Sequence, residues 1–317
     1  MFKTTLTRLI PLFLAAVFLL GACAPAATAL PTATLVPTPE ALVFIDGLGR
    51  TVTLDQPAQR IVSLAPSNTE ILYSVGAGAQ MVGRDEFSNY PAESASLPTV
   101  GGSFGGYSSE AIVNLKPDLV LAAEINTPEQ VKTLEDLGLT VYYLSNPIEL
   151  EGMYENLKLV ATMTGHAAEA DQLVETLQER VAAVEAKLAS VPSKPSVFYE
   201  LDSTDPNAPY TTGPGTFMDL LIGMAGGTNA GGVLSSPWAQ ISLEELIVQN
   251  PDLIVLGDSN YGVSAESVAA RAGWADLSAV KEGQVYPFND DLVSRPTARM
   301  VDGLEELAKL IHPEQFK

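Results

Sequence analysis

One fourteen-residue stretch constrains this chain more than any other, because it occurs twice. Ser108-Ser109-Glu110-Ala111-Ile112-Val113-Asn114-Leu115-Lys116-Pro117-Asp118-Leu119-Val120-Leu121 returns as Ser242-Leu243-Glu244-Glu245-Leu246-Ile247-Val248-Gln249-Asn250-Pro251-Asp252-Leu253-Ile254-Val255. Glu110 and Glu244, and Pro117 and Pro251, are each 134 residues apart. Each copy reads as a serine-capped short helix, ended near a proline and followed by an apolar strand. Continuous apolarity, rather than alternation, predicts a parallel sheet covered on both faces. One repetition at a spacing of domain size predicts two similar α/β lobes instead of a solenoid.

The rest of the chain fits around that duplication. Leu42-Val43-Phe44, the turn Asp46-Gly47-Leu48-Gly49 and Thr51-Val52-Thr53-Leu54 read as a hairpin. Strands are predicted at 60–65, 81–83, 119–121 and 140–144 in the first lobe, with a capping box of Ser67 and Glu70 starting a helix. Helices are expected over 150–164 and, longer, over 167–191. The longer one carries Leu173, Val174, Leu177, Val181, Val184 and Leu188 at spacings of three and four. At 1.5 Å per residue it would span roughly 35–40 Å, a lobe's diameter, and it lies between the two repeats. It is therefore read as the connector. The second lobe has strands at 196–201 and 285–288 and a helix over 217–224. The expected organisation is a lobe over 41–165, a connecting helix over 166–192 and a second lobe over 193–317.

Ahead of the lobes, Lys3 and Arg8 accompany an apolar run from Leu9 to Leu20, too short to span a bilayer comfortably. Residues 1–22 read as a signal peptide. It ends at Leu20-Gly21-Ala22-Cys23, which resembles a bacterial lipoprotein box, and Cys23 is the chain's one cysteine. Lipidation at Cys23, and hence a membrane anchor, is the expectation. The Pro-, Thr- and Ala-rich stretch that follows, 23–40, reads as a semi-extended tether. Formal charge is −21, and a leader would remove only Lys3 and Arg8. So acidic a body argues against nucleic-acid binding and fits a soluble extracytoplasmic protein.

Catalytic chemistry is poorly supported. Gly101-Gly102-Ser103-Phe104-Gly105 fits the G-x-S-x-G hydrolase pattern, with His312 available to a triad. A nucleophile elbow needs a strand running into the serine and a helix leaving it. Here Pro98 precedes, Gly105-Gly106 follows, and the next helix starts only near Ser109. A secreted serine hydrolase using Ser103 is a remote alternative. His166 and His312 lack ligand-spaced partners, so both read as helix-end residues and no metal site is expected. What stands out is aromatics in loops of both halves: Phe87, Tyr90, Phe104, Tyr107, Tyr210, Trp238 and Tyr261. Several follow strands or precede helices, where open α/β sheets bind ligands, and their broad faces suit a large ring system. Glu110 and Glu244 sit at the second position of matched helices. The helix dipole accounts for either alone, while the pair offers two acidic knobs to a two-fold partner bearing arginines.

Arg60-Ile61-Val62-Ser63-Leu64-Ala65-Pro66-Ser67-Asn68-Thr69-Glu70, Phe87-Ser88-Asn89-Tyr90-Pro91, the two Pro-Asp-Leu units and Ser236-Pro237-Trp238 together resemble class III periplasmic binding proteins. These are the iron-siderophore, haem and vitamin B12 receptors of ABC importers. The resemblance runs from about Val43 to Pro313, and the Pro-Trp-x-x-Ser-x-Glu run is similar to the cobalamin-binding branch. It implies two α/β lobes joined by one long helix, a ligand cleft between them, no enzymatic activity and no resident cofactor. It places Phe87, Phe104, Tyr210 and Trp238 on a transported corrinoid, with Ser67, Asn68, Tyr90 and Asp290 available to its peripheral amides. Glu110 and Glu244 fall where such receptors meet the permease dimer, which works with its ATPase subunits. The receptor itself is expected to be a monomer. Ala123 and Leu201 stand where aromatics are found in the branch. A ferric siderophore or haem is the alternative ligand, which arginines in the cleft would favour. Arg84 and Arg295 are the loop candidates.

Overall fold

The structure, a computed structural model, describes residues 41–102 and 106–317. The signal peptide, Cys23, the tether, Ser103 and Phe104 lie outside the described residues. From Ala41 onward the described residues form one compact unit built on two sheets and a small hairpin.

The hairpin pairs β1 (Leu42–Ile45) with β2 (Thr51–Leu54), antiparallel. Asp46 closes its turn by accepting from the backbone N–H groups of Leu48 and Arg50 and from the Arg50 guanidinium. The N-terminal sheet follows: β3 (Ile61–Ser63), β4 (Met81–Arg84), β5 (Leu119–Ala123) and β6 (Val141–Leu144), in the order β4-β3-β5-β6, all parallel. Its helices are α1 (Pro66–Ser74), α2 (Ser109–Asn114), α3 (Pro128–Asp136) and α4 (Leu150–Thr164). A connecting helix, α5 (Ala167–Leu188), leads to the C-terminal sheet. There β7 (Ser196–Asp202), β11 (Leu253–Leu256) and β12 (Val285–Pro287) are parallel, and β9 (Thr228–Asn229) pairs with the start of β7. β8 (Tyr210–Thr212) and β10 (Trp238–Gln240) extend this sheet antiparallel beyond β7. Helices α6 (Phe217–Met224), α7 (Leu243–Gln249), α8 (Ala265–Ala269), α9 (Ser278–Lys281) and α10 (Met300–Ile311) complete the chain.

Both-face burial of the repeated strands is visible residue by residue. On β5, Leu119 and Leu121 enter one apolar cluster while Val120 and Ala122 enter another. On β11, Leu253 and Val255 face the first cluster and Ile254 and Leu256 face a third. The first cluster includes Val174, Leu177, Val181 and Val184 of α5, so the connecting helix is welded into a core shared by both halves. Its 22 residues span about 33 Å.

The repeat extends into backbone geometry. Lys116 and Asn250, each preceding its proline, adopt positive φ of 50° and 43°. The aspartates after the prolines then do the same job. Asp118 accepts from the backbone N–H groups of Gln59 and Arg60 at the entrance to β3, and Asp252 from that of Ser196 at the start of β7. Asp118→Ala and Asp252→Ala should each lower the urea unfolding midpoint, by about 1 kcal/mol of stability. An unchanged midpoint in both would remove this role from the Pro-Asp pair.

One local expectation gives way. α1 has no capping box: Ala65 is its N-cap without a side-chain bond, and Pro66 occupies the first turn. Glu70 is buried instead and serves the other half of the molecule.

Candidate functional site

The carboxyl ends of β3 and β5 in one sheet and of β7 in the other contribute to a shared cleft, as the topology of open α/β sheets favours. Its larger part, about 510 Å³, is lined by Glu124, Ile125 and Asn146 on one side and Leu201, Asp202, Tyr210, Phe217, Met218, Trp238 and Ser294 on the other. A smaller part of about 180 Å³ continues past Ile125, Asn146 and Ser294 to Ala65, Pro66, Ser67, Ala123, Arg295 and Pro296.

One wall is aromatic. Trp238 opens β10, which pairs with β8 so that Trp238 stands opposite Thr212 and Gln240 opposite Tyr210. Gly213 permits this approach, since a Cβ there would lie 2.1 Å from the Ser236 carbonyl oxygen. The indole packs on Phe217 with ring centroids 5.7 Å apart, and Trp238 and Tyr210 remain 37% and 38% exposed. Two aromatic faces left open in a concavity are ready to bury a flat apolar guest. The facing wall has no ring among its described residues; Ile125, 66% exposed, is its apolar contribution.

The sequence-derived site residues divide accordingly. Tyr210, Trp238 and Ser67 line the cleft, as do Ala123 and Leu201. Phe87 is exposed on the loop after β4, outside the residues lining these cavities; its N–H donates to the buried Asp85 carboxylate, which the Ser88 hydroxyl also reaches. Tyr90 lies elsewhere, its ring 3.9 Å from the Arg299 guanidinium. It lines a separate cavity of about 430 Å³ with Tyr73, Leu173, Leu177 and Arg180. Asn68 is fully buried on α1, and no hydrogen-bond partner for its amide is found among the described residues. Asp290 is held inward, accepting from the Tyr199 hydroxyl at 2.8 Å, and burial raises its carboxyl above the ordinary range against the pull of Ser294 and Tyr199. Asn68 is thus enclosed, while Asp290, partly buried, is tied to Tyr199. Tyr107 spends its hydroxyl on the Leu64 carbonyl, and Tyr261 is 90% exposed.

Phe217, Glu124, Ile125 and Asn146 are cleft residues that sequence reasoning passed over. The first heads an apolar helix and looks like core. The others follow β5 and β6, and that position was the available signal.

Arg295 joins the cleft to the interior. Its guanidinium donates to Glu70 at 2.8 Å, to Asn89 at 2.7 Å and to Asp291 at 2.7 Å. Glu70 also accepts from Arg299 and Thr297, both at 2.9 Å. Burial raises the Glu70 carboxyl, and the two arginines oppose that rise. This cluster ties α1 of the N-terminal half to the segment leading into α10.

Glu110 and Glu244 are both exposed, on α2 and α7. Ser108 accepts from the Ala111 N–H and Ser242 from the Glu245 N–H, each at 3.2 Å, so both glutamates occupy the second position of a capped helix. Neither makes a salt bridge among the described residues. One turn further on, Val113 and Ile247 are 40% and 45% exposed, again 134 residues apart.

His166 and His312 sit at helix ends, as N-cap of α5 and C-cap of α10. No group of metal-ligating side chains is found among the described residues, and no described helix is long and apolar enough to cross a membrane.

Comparison with known proteins agrees with this architecture. Residues 61–292 match the family model described as periplasmic binding protein. The chain is 36% identical over 277 residues to an uncharacterised ABC transporter substrate-binding lipoprotein, YvrC, of Bacillus subtilis, covering 86% of each chain. It is 30% identical to a cobalamin-binding protein of Halobacterium salinarum, over 84% of this chain and 73% of that one. The crystal structure of the periplasmic vitamin B12 binding protein BtuF of Vibrio cholerae superposes with a TM-score of 0.70 at 28% identity, over 82% of this chain and 99% of that one. The chain belongs to the periplasmic binding protein family, with the class III fold, and is a solute-binding component of ABC transport, not an enzyme.

Proposed function

We propose that this protein is the membrane-tethered receptor of an ABC importer, that a corrinoid occupies the cleft between its two halves, and that a permease dimer with its ATPase subunits receives the cargo. Lipidated Cys23 would supply the anchor and the stretch up to residue 40 the reach. The observation carrying the ligand assignment is the aromatic wall of Trp238, Tyr210 and Phe217, open to a cleft of about 510 Å³. Indole and phenol faces suit a corrin ring, while Ser67, Asn146 and Ser294 offer polar groups toward a fringe of amides. Similarity to a cobalamin-binding protein and to a vitamin B12 binding structure supports the same choice. Phe104 and Phe87 complete the proposed contact set, Phe87 reaching in from the exposed loop after β4, beyond the residues that line the cavities. Glu110 with Val113, and Glu244 with Ile247, form two equivalent knobs that fit a two-fold permease carrying arginines beside apolar surface.

The test is titration of the purified protein, by visible spectroscopy and calorimetry, with cobalamin, cobinamide, haem and ferric siderophores in turn. Corrinoid binding is expected, with Trp238→Ala weakening it by about 2 kcal/mol, roughly 30-fold. Saturable binding of haem or a ferric siderophore with no response to either corrinoid would reverse the ligand assignment and leave the receptor role standing. Unchanged affinity in Trp238→Ala would take the indole out of the site.

A further inference from the structure

We infer that the cleft selects its guest by charge as well as by shape. Glu124 and Asp202 would be the specificity-determining residues, admitting a neutral or cationic macrocycle with an amide fringe and disfavouring one fringed by carboxylates. This rests on the corrinoid assignment and goes beyond it.

The two acids face one another across the same cavity. Glu124 follows β5 and Asp202 ends β7, so one carboxylate comes from each half. Both residues are exposed, yet each carboxylate is oriented by its own surroundings. Glu124 accepts from the Asn146 N–H at 3.0 Å, and Asp202 accepts from the Thr204 N–H at 2.9 Å and the Thr204 hydroxyl at 3.2 Å. The open faces of Tyr210 and Trp238 line the same cavity, on the wall that carries Asp202 and opposite Glu124. Two oriented carboxylates thus flank the place where a flat guest would stack.

Positive charge does not balance them. Among the described residues lining the cleft, Arg295 is the one cation, and its guanidinium is already paired with the carboxylates of Glu70 and Asp291 and bonded to Asn89. Arg84, the other candidate, spends its guanidinium on the carbonyls of Ser94, Asp85 and Glu86. An anionic rim would find no arginine here whose charge is not already balanced or whose guanidinium is not already bonded, and would meet two like charges. A formal charge of −21 adds a long-range field of the same sign. Amide N–H groups or a cationic metal centre would meet acceptors and favourable potential instead.

The experiment uses two pairs of flat macrocycles that differ in charge and little in shape. One is diaquacobinamide against the same corrin with its side-chain amides hydrolysed to carboxylates. The other is a porphyrin bearing four N-alkylpyridinium groups against one bearing four carboxylates. Each is titrated into the wild-type protein and the Glu124→Gln/Asp202→Asn variant, whose amides keep the shape. Wild type should prefer the amide corrin by about tenfold, a ratio that falls below about threefold in the variant and also shrinks in 0.5 M salt. A wild-type ratio near one, or a ratio the variant leaves unchanged, overturns the filter while leaving corrinoid binding intact. If neither corrin binds but the cationic porphyrin is preferred, and the variant loses that preference, the corrinoid assignment falls and the filter stands. Silence with all four probes overturns both.

Discussion

Replacing Arg271 by alanine should lower the unfolding free energy by about 3–5 kcal/mol, more than any other single substitution considered for this chain. Arg271 holds Glu200, whose side chain is completely buried on β7, through two parallel bonds of 2.6 and 2.9 Å. It also donates to the Ser203 hydroxyl at 2.9 Å, and its guanidinium lies 4.5 Å from the centre of the Trp274 ring. Burial pushes the Glu200 carboxyl up, and Arg271 is the main force pulling it back. Without the arginine, a charge would be stranded in the chain directly before Leu201 and Asp202, which line the cleft. The Arg271–Glu200 pair is therefore costly to break from one side and cheap to replace as a unit. In a Glu200→Gln background, the same Arg271→Ala change should cost clearly less, because a neutral amide needs no counter-charge. Urea unfolding of the four variants gives the cycle. A loss under about 1 kcal/mol in the single variant, or equal losses in both backgrounds, would mean water reaches Glu200 and the pair is not what holds this corner.

The contrast between Glu200 and the repeat marks how far the sequence could be read. Periodicity within a segment is a local signal. It located α4 and α6 at their observed limits and β3 to β7, β11 and β12 to within a residue or two, because burial on both faces leaves unbroken apolar runs such as Leu253–Leu256; β8, read as a loop, and the two-residue β9 carry no such run. Duplication carried the reading further, fixing the matched positions of Glu110 and Glu244. Non-local partners were beyond that reach. Glu70 has capping-box spacing from Ser67, but its bonds go to Arg295, Thr297 and Arg299, more than two hundred residues away. The three-residue strand β10 has no apolar run and exists because β8 offers it an edge. In the cleft, the ring-bearing Tyr210 and Trp238 were legible as aromatics in glycine- and proline-rich loops. Tyr90 has the same local character, yet a cation from the other half, Arg299, holds its ring elsewhere. Residue type and loop position find candidates; the partner decides among them.

Reversing both acids of the proposed docking knobs, as Glu110→Arg/Glu244→Arg, should reduce uptake by more than about 100-fold while leaving ligand affinity within about twofold. The fold should tolerate the change. Both residues are exposed and lack salt-bridge partners among the described residues, and each serves its own short helix only by favouring the positive end of the dipole, worth about 0.3–1 kcal/mol. Neither lines the cleft, so binding of the cargo has no reason to suffer. The interface is a different matter. On the proposed docking, two equivalent knobs would engage a two-fold partner simultaneously, so the reversal would set like charge against like at both ends at once and leave each arginine there without its acid. Single reversals should fall between, since one knob still docks. Val113→Ser/Ile247→Ser should weaken uptake less, by removing apolar contact without adding repulsion. Transport of labelled ligand in cells, read beside calorimetry on the same variants, separates the two roles. Restoration of uptake by a permease whose facing arginines are changed to glutamate would identify the contact directly, and wild-type uptake by the double-reversal variant would show that the acids serve their helices and nothing else.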